Sequence, residues 1–105
     1  MSPGELCGLI VEALVDHRGR DIVSLDVTKL TDVTDFMVVV SGTSNRHVRA
    51  LVDYVFYLVK HRSVDLIGIE GRDRGEWVLI DLGDVVVHVM QAQTREFYDL
   101  ERLWS

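Results

Sequence analysis

The stretch EWVLIDLGDVVVHVMQ, residues 76–91, constrains the fold more than any other part of the chain. Gly83 and Asp84 interrupt two runs rich in Val, Ile and Leu, the composition of two strands joined by a two-residue turn. With that turn, Leu82 lies opposite Val85, Ile80 opposite Val87 and Val78 opposite Val89. All six are aliphatic, so this face needs a core against it. The reverse face pairs Asp81 with Val86, Leu79 with His88 and Trp77 with Met90. It mixes an indole, aliphatics, a carboxylate and an imidazole. A solvated face would carry Lys, Glu and Thr instead. Trp beside aliphatics and a charge is the composition of a binding patch. A helix that covers the face and bonds Asp81 and His88 internally would give the same composition.

Around this hairpin the pattern alternates between periods. The block FMVVV, 36–40, is apolar on both faces and reads as a central strand covered on both sides. Val48, Leu51, Val52, Val55 and Val59 form one stripe of a helix over 44–62, with Tyr57 nearly opposite and partly exposed. Leu6, Leu9, Ile10, Ala13 and His17 share a face of a first helix after Pro3, widened by Val11 and Val15, with Gly19 placed as its C-cap. DIVSLDV and DLIGIEG read as strands, TKLTDVTD as a polar connection and RDRG as a turn. TREFYDLERLW closes as a helix capped by Thr94. Phe97, Leu100 and Trp104 share its face, and Arg95 and Asp99 form an i,i+4 pair. The order α-β-β-α-β-β-β-α is that of an α/β domain, one mixed sheet of about five strands packed with helices. The 44–62 helix crosses between parallel strands. Residues 1–105 form a single domain, and 48% hydrophobic residues supply its core.

The net charge of -6 disfavours the nucleic-acid backbone, which is bound mainly through Lys and Arg. A basic protein is the better-matched partner, with little direct nucleic-acid contact. No apolar run approaches the roughly 20 residues that span a bilayer, and no signal peptide is visible. Cys7 is the single cysteine, so no intramolecular disulfide forms, and its helical context predicts a buried thiol. A soluble cytoplasmic protein is expected.

SGTSNRHVR, 41–49, follows the central strand and opens a helix, the layout of a loop that holds phosphate on backbone N–H groups. A nucleotidyl-transferring enzyme would also need paired carboxylates for its metal. No D-x-D stands at a strand end; Asp81 and Asp84 straddle a turn, and Asp32 and Asp35 precede the central strand. No nucleophile elbow, CxxC, HxxxH or P-loop occurs, so no metal and no cofactor are expected. As a cap, the loop uses Gly42 for a positive φ and Thr43 or Ser44 as acceptor. Arg46, His47 and Arg49 oppose the dipole of the helix they open, which suggests an anion nearby (Asp35, or a partner's carboxylate or phosphate); a solvated basic turn would give the same pattern.

TDFMVVVSGTSNRHVRALVDYV, EWVLIDLGDVVVHVM and REFYDLERLW, taken in order, resemble the ribosomal silencing factor, or Iojap-related, family and cover nearly half the chain. The resemblance implies a nucleotidyltransferase-like fold without catalytic acids, and no enzymatic turnover. It implies binding to the large ribosomal subunit through ribosomal protein L-fourteen, which blocks joining of the small subunit and represses translation under nutrient limitation. Residues 77–84 match the block associated with that contact. Trp77 would be the anchor with Leu79 and Met90 beside it, Asp81 and Asp84 would pair with Lys or Arg, and His88 would flank them. Arg46, His47 and Arg49 would be a secondary anion or ribosome contact. Leu82 departs from a frequent aromatic, and Phe36 and Met37 stand where Tyr-Phe is common. Exposed Tyr57 and Trp104 would allow a weak homodimer. The alternative is a nucleotide-binding or nucleotidyltransferase-type enzyme centred on SGTS.

Overall fold

A computed structural model describes residues 1–104. The elements are α1 (Pro3–Asp16), β1 (Arg20–Asp26), β2 (Phe36–Gly42), α2 (Asn45–His61), β3 (Gly68–Glu70), β4 (Trp77–Asp81), β5 (Val85–Gln91), α3 (Ala92–Tyr98) and α4 (Leu100–Trp104). The five strands form one mixed sheet in the order β1-β2-β5-β4-β3. β2 and β5 pair in parallel, and the other neighbours are antiparallel. The hairpin register is the expected one, with Trp77 opposite Met90, Leu79 opposite His88 and Asp81 opposite Val86. α2 carries the chain from β2 over β5 and β4 to β3, which runs in the same direction as β2.

Both faces of the central strands are covered, but unequally. Val38, Val40, Val78, Ile80, Val87 and Val89 meet α1 and α2 in the larger core. α2 buries the expected stripe of Val48, Leu51, Val52, Val55 and Val59. α1 buries Leu6, Cys7, Ile10 and Leu14, so its seam lies one residue beyond the expected Ala13, and Val15 is 59% exposed. Leu14 removes more apolar surface from water than Ala13 would, at about 25 cal/mol per Å². Cys7 is buried as expected, and burial pushes its thiol pKa up. α1 starts with a reciprocal cap: Ser2 Oγ accepts from the Glu5 N–H and the Ser2 N–H donates to Glu5 Oε1. Among the described residues, no helix is long and apolar enough to cross a membrane.

Several local expectations change. Arg18, not Gly19, takes the left-handed conformation after α1, at φ 66°. Gly19 is there for space: a Cβ would stand 2.7 Å from Val40 Cγ2 and 2.9 Å from the Leu14 carbonyl oxygen. Gly42 likewise has no positive φ. It lets α2 approach the end of β2, where a Cβ would meet Val48 Cγ2 at 2.8 Å. The expected single C-terminal helix is two short ones, because Asp99 turns left-handed at φ 48°. α3 begins at Ala92 and has no side-chain cap, so Thr94 does not cap it. Arg95 turns away from Asp99 to Glu101 Oε1 and Ser41 Oγ, each at 3.0 Å.

Gly19→Ala should therefore destabilise the fold by about 1–3 kcal/mol through overpacking. A urea titration followed by circular dichroism will show a lowered midpoint with an unchanged slope.

Candidate functional site

The second face of the hairpin carries a smaller core of Val27, Met37, Val39 and Met90, edged by Leu25, Trp77, Leu100 and Trp104. α4 lies against this face after the Asp99 turn. It puts Met90 at 0% exposure and leaves His88 at 5%. These two expected contact residues thus sit beneath the surface and support it. Trp77, Leu79 and Asp81 remain half-buried, and Asp84 is exposed at the turn. Leu79 and Asp81 line an apolar groove of about 440 Å³ with Val33, Val86, His88, Leu100 and Trp104.

Val33, Tyr98 and Phe97 lie outside the expected set. Val33, 82% exposed, comes from the polar connection, where no periodicity marks it. Tyr98 packs on Trp77 with centroids 4.8 Å apart, and Phe97 meets Tyr98 edge-on at 5.0 Å. The break at Asp99 takes Phe97 off the face shared by Leu100 and Trp104 and leaves it 81% exposed. Trp77, Tyr98 and Phe97 make an aromatic row along the hairpin.

His88 holds the Trp77 indole. The Trp77 Nε1–H donates to His88 Nδ1 at 3.0 Å, so the imidazole hydrogen is on Nε2. Burial pushes the His88 pKa down to about 4. Asp81 Oδ1 accepts from the Gly83 N–H at 2.9 Å and braces the turn. Asp26, Asp35, Asp81 and Asp84 all stand at one end of the sheet, where the Asp35 and Phe36 N–H groups both donate to the Asp84 carbonyl. The open part of the face is thus aromatic and aliphatic with an acidic rim, the complement of a basic protein surface.

The 41–49 loop is bonded internally. Ser44 Oγ accepts from the His47 N–H at 3.0 Å and caps α2. His47 Nδ1 accepts from the Thr43 N–H at 2.9 Å, and its Nε2–H donates to the His17 carbonyl at 3.1 Å. The imidazole thus ties the start of α2 to the end of α1. Two of the amides that could cradle a phosphate, those of Thr43 and His47, are already taken. Arg49 Nη1 donates to the Asp73 carbonyl at 3.2 Å. Arg46 is exposed and makes no ion pair among the described residues. Asp35 precedes β2 while these residues follow it, so the expected Asp35 pairing is not formed. Tyr57 and Trp104 lie on opposite sides of the sheet and cannot share one patch. Among the described residues, no group of three or more His, Cys, Asp or Glu gathers as metal ligands would.

His88 generates a pH dependence. Between its ordinary 6.5 and about 4, the unfolded chain binds a proton that the folded chain refuses. Its contribution to stability is full above 6.5 and falls as the pH drops toward 4, by about 3 kcal/mol in all. Urea midpoints from pH 7 to 4.5 should fall accordingly, and His88→Met should remove most of that slope.

The family described as "Ribosomal silencing factor during starvation" matches residues 2–105. The ribosomal silencing factor of Chromobacterium violaceum is 50% identical over 96% of this chain and 83% of its own. A mouse protein called "Mitochondrial assembly of ribosomal large subunit protein 1" is 40% identical over 92% of this chain, which spans 44% of that longer protein. A crystal structure of a Chromobacterium violaceum protein, 49% identical, superimposes with a TM-score of 0.97 over 99% of this chain and 87% of that one. With this architecture and a match along nearly its whole length, the chain belongs to the ribosomal silencing factor family.

Proposed function

We propose that the protein silences ribosomes sterically in the cytoplasm. It docks on the large subunit through ribosomal protein L-fourteen and occupies the surface the small subunit needs for joining, so translation falls when nutrients are scarce. No turnover and no nucleotide is required. The observation that carries this reading is the Trp77 indole, held by His88 and Tyr98 and flanked by Leu79, on a hairpin face that ends four residues along β4 in the Asp81 and Asp84 carboxylates. A fixed aromatic anchor on a face that ends in acids suits a basic protein partner. The family match supports it, as does the mouse relative's name, which refers to the large subunit.

On this reading Asp81 and Asp84 meet Lys or Arg, while Met90 and His88 act from below. Arg46 stays available for a second contact, since α2 packs on the other face of the sheet. Arg49 and His47 are engaged within the chain.

The test is a sedimentation gradient with separated subunits. The protein should travel with the large subunit and reduce the assembled ribosome; undiminished assembly at saturating protein would refute the proposal. Trp77→Ala should weaken large-subunit binding by about 2 kcal/mol or more, roughly thirtyfold, in a variant that circular dichroism shows to be folded.

A further inference from the structure

The parallel strands β2 and β5 end side by side, with Ser41 beside Met90 and Gly42 beside Gln91. The chain then leaves them on opposite faces. α2 packs on the Val38 and Val40 side, and α3 sends Arg95 to Ser41 on the other. Neighbouring parallel strands whose connections part in this way leave a crevice beyond their carboxyl ends, where α/β sheets take ligands. A cleft of about 540 Å³ lies there, at the far end of the sheet from the acidic rim.

Two opposite charges border this cleft. In a regular strand Arg20 and Asp21 would point to opposite faces. β1 carries an extra residue between the pairs Arg20–Ser41 and Val23–Val39, and Asp21 is left-handed at φ 50°. With this bulge both residues line the cleft. They do not pair with each other: among the described residues the ion pairs are Arg72–Asp53 and Arg95–Glu101. Gln93 adds an amide, while the Thr43 hydroxyl lies 3.2 Å from His47 Nδ1. The Gln91 amide is taken by Asn45 Oδ1 and the Gly75 carbonyl, so it forms the wall.

We propose that this cleft binds a zwitterionic α-amino acid, its carboxylate on the Arg20 guanidinium and its ammonium on the Asp21 carboxylate. A guanidinium receives a carboxylate on two parallel N–H groups. A phosphate ester fits less well, because Asp21 repels it and the Thr43 amide already donates to His47. A divalent cation would find one carboxylate and a competing arginine. The cleft shares no lining residue with the groove on the hairpin face, and its test needs no ribosome, so it stands or falls apart from ribosome binding.

The experiment is calorimetry on the full chain, without ribosomes, against each standard amino acid at millimolar concentration. At least one should bind, and Arg20→Gln and Asp21→Asn should each weaken it about tenfold or more. Asn tolerates the left-handed backbone at position 21, and circular dichroism checks both variants for folding. Three outcomes would each overturn the assignment: no amino acid binds, a carboxylate lacking the amine binds equally well, or both variants bind as the parent does.

Discussion

The parallel pairing of β2 with β5 is the contact on which the rest of the molecule depends. Each strand is buried on both faces, so each must be matched by side chains from two layers. Long amphipathic helices fill one layer completely. The other layer has only α3, α4 and a loop, and it covers the carboxyl half of β5 more fully than the turn end. A half-buried indole, an apolar groove and a carboxylate rim are what remains where that second layer stops. The candidate surface thus follows from how unequally the sheet is covered.

His88 shows how that surface is kept rigid. An imidazole among Met90, Leu79 and Trp77 is costly to charge, and its depressed pKa records that cost. Left neutral, it offers one acceptor, and the indole N–H takes it. Tyr98 packs on the same ring. A side chain already fixed in its bound orientation loses less rotamer freedom when a partner closes over it.

Much of this was legible in the sequence. Alternation in 76–91 around Gly83 and Asp84 sets every pair of the hairpin, because a period of two leaves no freedom once the turn is placed. The α2 stripe is legible for the same reason at period 3.6. Phe97, Leu100 and Trp104 obey that period too, yet a left-handed Asp99 separates them, and no local pattern distinguishes that Asp from a helical one. Burial of Met90 then follows from α4 and is equally invisible. Gly19 and Gly42 read as backbone freedom but act as clearance for Val40 and Val48, contacts that exist only after the sheet and helices meet. His47 reads as a cation at a helix start and proves to be a strut between two helices.

The sheet order also dictates when the protein can fold. β5 occupies the centre of the sheet but comes from the last quarter of the chain. Until it emerges during synthesis, β2 has only β1 beside it, and β3 and β4 have no sheet to join. Local pairs can form early, but the core waits on a contact between residues some fifty positions apart. The surface proposed as a ribosome contact is built on that same strand, so it takes shape only after β5 has been synthesised.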